Sequence, residues 1–377
     1  MEKENPQQVQ ISSSSTSTTT TTITVSKGRF CLSPLTKFHA GYFRICLSLC
    51  GQALLWKTLS ETSSELSGPL HCLLRRFPSA AFILLWSLAL LTLIIFSLLY
   101  ALRCLLNFQS VRCEFSHHVG ENYLFAPWIS WLLLLQSSPF LKPKTPSYLL
   151  LWWAFSIPVV VLDVKIYGQW FTKGKRFLSM VANPTSQLSV IGNLVGARAA
   201  AQTGWMECAM FLFCLGIIHY LVLFVTLYQR LQGNDRLPTM LRPVFFLFVA
   251  TPSMASLAWD SIAGTFDMLS KMLFFLSLFI FASLMCRPAL FRRSMKRFHV
   301  AWWAYSFPMT VLALASAKYA QVVKGEITHW LMLILSMLSV LVALVLIVFS
   351  VLNTNSLVPR HDPFVAHPTL PIANCSP

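Results

Sequence analysis

Apolar segments long enough to cross a bilayer recur about ten times along these 377 residues, and every second one carries Pro or Gly near its middle. A helix needs roughly 20 mostly apolar residues to cover ~30 Å of hydrocarbon. In lipid it must satisfy its own backbone hydrogen bonds, so broken helices are tolerated only inside protein or along a watery path. The alternation therefore predicts two layers, with smooth helices facing lipid and broken ones lining a conduit. It restricts the chain to an all-α integral membrane protein and points to transport.

The spans are expected at about 38–57, 79–101, 122–138, 147–169, 186–203, 205–228, 242–262, 268–286, 299–317 and 328–352. Short connections would make neighbouring helices into hairpins, which ten spans divide into five. Residues 1–36 hold a Ser/Thr run that cannot bury enough apolar surface to offset its ordering entropy. They read as a disordered tail, as does the Pro-rich stretch 354–377. The membrane domain is residues 37–353. No cleavable signal peptide is expected. The ten Cys form no C-x-x-C pair, so neither a metal pattern nor a disulfide framework is expected. Cys72 is the main candidate for an outward-facing thiol.

Only 11% of residues are charged, yet 29 Lys and Arg face 13 Asp and Glu. In a soluble chain that excess would suggest nucleic acid. Here most basic residues flank apolar spans, where they set topology and meet anionic lipid. Lys37, Arg103, Arg112, Lys173, Lys175, Arg176, Arg230, Arg292 and Arg293 fall on one side, together with both ends of the chain. Lys57, Arg75, Arg76, Lys142, Lys144, Lys271 and Lys324 fall on the other. The asymmetry puts both termini in the cytoplasm, which an even number of spans requires.

The breaks are Gly41 and Gly51 in the first span, Pro127 in the third, and Gly192, Gly196 and Gly204 in the fifth. Pro243, Pro252 and Gly264 mark the seventh and Pro308 the ninth, while Pro158 in the fourth makes the alternation imperfect. Pro removes a helical hydrogen bond and bends the axis. Small residues also let helices approach closely, so packing and pore lining both account for the pattern. Gly41, Pro127, Gly192, Pro252 and Pro308 are the candidate pore-lining kinks. The segment Trp152-Trp-Ala-Phe-Ser-Ile-Pro158 echoes Trp302-Trp-Ala-Tyr-Ser-Phe-Pro308. The two fall on an even and an odd span, so the echo reads as coincidence rather than as a repeat.

Enzyme signatures are absent: there is no G-x-S-x-G, no P-loop and no H-E-x-x-H. His219 is expected to pack and hydrogen-bond. Asp163 and Lys165, two residues apart, do not share a helix face, so each needs another partner. No acid stands convincingly at mid-span, which disfavours cation transport. Arg44 and Arg198 lie nearer the interior and are candidates for attracting anions, with snorkelling or a structural pair as the other reading. Phe307 immediately precedes Pro308 among Ser306 and Thr310. Its ring could plug a narrow path or be ordinary core.

Several segments carry a resemblance: Asn122-Tyr-Leu-Phe-Ala-Pro-Trp128, Lys165-Ile-Tyr-Gly-Gln-Trp170, Asn183-Pro-Thr-Ser-Gln-Leu-Ser-Val-Ile-Gly-Asn-Leu-Val-Gly196, His219-Tyr-Leu-Val-Leu-Phe-Val-Thr-Leu-Tyr-Gln-Arg230 and Ala301-Trp-Trp-Ala-Tyr-Ser-Phe-Pro-Met-Thr310. In these the chain resembles the plant slow-type anion channel family (SLAC/SLAH), relatives of bacterial tellurite-resistance and dicarboxylate transporters. The resemblance covers about residues 36–352. It implies ten helices as five quasi-repeated hairpins, with the odd helices around a central pore. It implies a homotrimer, or a heteromer with longer homologues, each subunit having its own pore. Phe307 takes the place of the family's gating phenylalanine. The implied activity is passive, weakly voltage-dependent efflux of chloride or nitrate across the plasma membrane, switched by a protein kinase and needing no cofactor. The short tails depart from the longer members, as do Arg44, where a small residue is expected, and Leu133, where a second aromatic can occur. Two alternatives follow: a coupled carboxylate or sulfite carrier, or a regulatory subunit with little flux of its own.

Overall fold

The computed structural model describes residues 38–62, 70–172, 182–232, 239–292, 294–296 and 298–354. The expected tails lie outside the described residues, apart from Thr354. So do the side chains of Cys72, Arg75, Arg76, Lys173, Lys175, Arg176, Arg230 and Arg293. All regular structure among the described residues is helical. The long helices are α1 (Phe43–Thr62), α2 (Leu70–Leu106), α3 (Phe125–Ser137), α4 (Pro146–Thr172), α5 (Gln187–Thr203), α6 (Met206–Gln232), α7 (Leu247–Ala263), α8 (Met268–Met285), α9 (Ser306–Val323) and α10 (Glu326–Leu352).

Among the described residues, seven segments are long and apolar enough to cross a membrane: Ala80–Leu106, Pro146–Thr172, Met206–Leu227, Arg242–Ala263, Met268–Met285, Val300–Val323 and Glu326–Leu352. The other three expected spans correspond to α1, α3 and α5. α3 has only 13 residues and α5 only 17, while α1 carries Arg44, Gln52 and Lys57. These helices are shielded by neighbours. Their outward faces meet protein rather than lipid, so the requirement for a continuous apolar surface is relaxed.

The packing is two-layered. α1 touches α3, α3 touches α5, α5 touches α7, α7 touches α9, and α9 returns to α1, so the contacts close into a ring. Each ring helix also packs against the helix that follows it: α2 on α1, α4 on α3, α6 on α5, α8 on α7 and α10 on α9. Burial divides the same way. The most apolar stretches of the α7 and α9 spans are 78% and 83% buried, against 17% for those of α2 and α8.

Every ring helix has a short lead-in. Ala40–Tyr42 precedes α1, Gly120–Tyr123 precedes α3, Pro184–Ser186 precedes α5, Thr239–Phe246 precedes α7 and Val300–Ala304 precedes α9; all but the second are 3-10 turns. The residues before three of these, His39, Asn183 and His299, share an extended backbone. At the far ends, Lys144, Gly204, Gly264 and Lys324 adopt left-handed backbone, a recurrence every 60 residues. This is the internal period that the sequence reading did not find. Gly204 and Gly264 are left-handed caps closing α5 and α7, not breaks within them. The Trp-Trp echo has no structural counterpart: Trp152–Pro158 lies inside α4, whereas Trp302–Pro308 spans the passage from 3-10 turn into α9.

Two of the five candidate kinks, Gly192 and Pro252, fall inside a ring helix, and of these only Pro252 removes a backbone N–H. Pro127 and Pro308 stand in the first turns of α3 and α9, where a missing N–H leaves no bond unmade. Gly41 lies in the 3-10 turn before α1. Gly192 belongs to an unbroken α5, and a Cβ there would meet Val159 of α4 at 3.2 Å. Pro252 is the interior proline of α7. The loosened turn is tied locally: Thr251 Oγ1 donates to Gln187 Oε1 at 2.9 Å, and Ser277 Oγ of α8 donates to the Val249 carbonyl at 2.7 Å.

Candidate functional site

Phe307 is the second residue of α9 and is 1% exposed. Its ring lies against Gly51 of α1: a Cβ at that glycine would stand 3.3 Å from Phe307 Cδ2 and 3.4 Å from Thr310 Cγ2. Gly51 thus gives the ring its room. Above and below it, α1 and α9 are stitched by buried polar groups. Ser48 Oγ donates to Ser306 Oγ at 2.5 Å. Gln52 Nε2 donates to Thr310 Oγ1 at 2.9 Å and to Ser339 Oγ of α10 at 2.8 Å. Thr310 Oγ1 also lies 2.9 Å from the Ser306 carbonyl. Ser48 and Gln52, like Ser306 and Thr310, are one helical turn apart, so each pair shares a face. The sequence reading missed Ser48, Gln52 and Ser339. Their signal was polar residues at i, i+4 spacing inside apolar spans. Leu133 is buried in the core of α3.

The two arginines occupy opposite ends of the ring. Arg44, in the first turn of α1, donates from Nε to the Gly41 carbonyl at 2.8 Å and holds its guanidinium 4.7 Å from the Tyr123 ring centre. Its Nη1 is buried without a partner. Arg198, late in α5, is 6% exposed, and its Nε and Nη1 are both buried without a partner. Neither side chain snorkels to open solvent.

Asp163 and Lys165 do find separate partners. Lys165 Nζ lies 3.1 Å from Glu121 Oε2. Asp163, late in α4, is 1% exposed. Ser189 Oγ and Asn193 Nδ2 of α5 reach its carboxylate at 2.8 and 2.7 Å. His219 Nδ1 of α6 lies 2.8 Å from Ser189 Oγ, and its ring stacks edge-on with Trp170. The carboxylate is tolerable because neighbouring helices supply its donors. Those donors come from α5, so the cluster couples inner to outer layer. His219 packs and hydrogen-bonds, as expected. The start of α1 is held by a buried ion pair: Arg103 Nη1 meets Glu114 Oε2 at 2.9 Å, and Glu114 Oε1 accepts the Ala40 N–H at 2.7 Å.

A closed ring of helices wrapped by apolar partners describes a multi-pass membrane protein. The family profile described as "Voltage-dependent anion channel" (SLAC1) matches residues 37–351. The chain is 58% identical over 340 residues to the S-type anion channel SLAH1 of Arabidopsis thaliana, covering 90% of this chain and 87% of that one. It is 57% identical over 329 residues to SLAH4 of the same plant, covering 87% of each. It is also 42% identical over 321 residues to the guard cell S-type anion channel SLAC1, covering 85% of this chain and 56% of that longer protein. The chain belongs to the SLAC1-type anion channel family.

Proposed function

We propose that this protein is a slow-type anion channel that passes chloride or nitrate down its gradient across the plasma membrane. In this reading all ten long helices span the membrane as five hairpins, and α1, α3, α5, α7 and α9 surround the conduit. Both termini are cytoplasmic, with residues 37–353 forming the channel and 1–36 and 354–377 forming tails. Three copies assemble, each with its own pore, and a longer homologue can replace a copy. A protein kinase acts on the cytoplasmic face.

The observation that carries the reading is Phe307, buried within the ring contacts of α1 and α9 against the bare backbone of Gly51. A benzyl group there excludes ions by bulk, and an apolar constriction disfavours water. A ring turned ~30° from its rotamer costs about 0.5–1.5 kcal/mol, so a modest bias opens such a plug. The ring-facing hydroxyls of Ser48, Ser306 and Thr310 offer weak dipoles rather than a tight binding cage. Arg44 and Arg198 make the field along the path positive, which attracts anions and repels cations. Gly41, Pro127, Gly192, Pro252 and Pro308 shape the inner helices through their starts, contacts and one interior bend.

The test is a two-electrode recording in oocytes with chloride and nitrate exchanged in the bath. The current should reverse at the anion equilibrium potential at every external pH. A reversal potential that moves with pH at fixed anion gradients would identify a proton-coupled carrier and end the channel reading. Absence of current alone, with current restored or altered by a co-expressed longer homologue, would identify a regulatory subunit.

A further inference from the structure

The end of the ring opposite the lead-in turns gathers polar groups from six helices. Lys57 of α1 donates from Nζ to the Gln136 carbonyl of α3 at 3.0 Å. Gln136 Nε2 in turn donates to the Val195 carbonyl of α5 at 3.1 Å, one helical turn before Arg198. Tyr148 at the start of α4 is fully buried, with a hydroxyl that has no partner. Lys57, Tyr148, Glu61 and Asp260 are all within electrostatic range of Arg198. Asp260 is already 4.0 Å from Lys318. No carboxylate stands within salt-bridge distance of Arg198 among the described residues.

A guanidinium taken out of water without hydrogen bonds is strongly disfavoured. Here Nε and Nη1 both lack an acceptor, and a buried tyrosine hydroxyl nearby lacks one too. The unmet groups are donors at Arg198, a hydroxyl able to donate at Tyr148 and one acceptor, Gln136 Oε1. The Lys57 ammonium has three donors, of which Gln136 takes one. Of the carboxylates at this end, Asp260 is shared between Arg198 and Lys318, and neither it nor Glu61 reaches the guanidinium as an ion pair. We propose that Arg198 and Lys57, with the Tyr148 hydroxyl, form a desolvated subsite for one small monovalent inorganic anion, nitrate or chloride. The planar, always-charged guanidinium suits the planar oxygens of nitrate. The proposal rests on the anion-conducting reading above and gives it a specific resting place for the ion.

The experiment measures binding without requiring current. Full-length protein in nanodiscs is unfolded thermally in sodium nitrate, sodium chloride or sodium gluconate at equal ionic strength. Nitrate and chloride should raise the wild-type midpoint saturably, and gluconate should not. Arg198→Gln should weaken the half-saturating concentration by about tenfold or more, with Arg198→Lys intermediate. Lys57→Gln and Tyr148→Phe should each weaken it several-fold, and they decide the matter if Arg198→Gln does not fold. An unchanged anion dependence in these variants, or an equal rise in gluconate, overturns the subsite. Recordings on the same proteins separate the two ideas. Binding that needs Arg198 in a chain that carries no current removes the conduction reading and keeps the subsite. Current with no Arg198-dependent binding does the reverse.

Discussion

The inner helices and the outer helices invert the usual relation between polarity and burial. α5 carries Gln187, Ser189, Asn193 and Arg198, all buried. α2 exposes Ile83, Leu84, Leu91 and Leu98 over much of its length. In water the first would be the surface and the second the core. Lipid removes the penalty for exposed apolar side chains, so hydrophobicity stops selecting what is inside. Burial instead follows hydrogen-bonding need: helices with polar groups to satisfy turn toward one another, and purely apolar ones are left to the solvent of tails. The ring can therefore carry hydroxyls, an amide and two arginines in its interior.

The sharpest way to break this contrast is at the plug. Phe307→Ala should raise anion current roughly two- to tenfold, the range that a ~0.5–1.5 kcal/mol rotamer cost spans. Reduced or unchanged current at normal surface expression would make Phe307 ordinary core. Next comes packing within the ring. Leu312→Ala, at a fully buried position of α9, should lower unfolding stability by about 2–5 kcal/mol. Leu98→Ala on α2, which is 65% exposed, should change it by less than about 0.5 kcal/mol. Equal losses at the two sites would mean that α2 faces protein rather than lipid. Gln52→Leu removes the bonds to Thr310 and Ser339 and should cost about 0.6–1.7 kcal/mol, the range of interhelical bonds in membranes. A thermal midpoint equal to wild type would show that the stitch is idle.

The smallest effect lies at the boundary of the layers. Asp267 caps α8, accepting from the Ser270 N–H at 3.1 Å and from Trp259 Nε1 of α7 at 2.9 Å. The bond from Trp259, then that from Ser270, holds its carboxyl below the usual carboxylate range. The folded pKa is depressed, so this contribution is present above the unfolded-state value and is lost as pH falls through the lowered folded-state value. Asp267→Asn should flatten stability against pH in that acid window and leave it unchanged near neutrality. A variant with the same acid limb as wild type would exclude Asp267 as its source.

Much of this was legible in the chain. The span boundaries fall close to the long helices because a run of about 20 apolar residues has few alternatives. The separate partners of Asp163 and Lys165 followed from their two-residue spacing. Other features were not legible. Pro127 and Pro308 read as kinks, since sequence alone does not fix where a helix begins, and a first-turn proline loses nothing. The 60-residue period stayed hidden because two of its four left-handed positions are Lys144 and Lys324 rather than glycine. The α1 to α9 stitch joins residues 258 apart in sequence, beyond any local pattern.

The sequence by itself determined that the chain lives in a bilayer, where its long apolar segments lie, and which family it joins. Each of these follows from local apolar length or from motifs read residue by residue. Only the tertiary structure decided that α1 meets α9 and closes the ring, that Gly51 faces Phe307, and that Arg198 is buried with donors unmet. Those facts depend on which polar groups find each other across distant helices, and in lipid that pairing, rather than hydrophobicity, selects the arrangement.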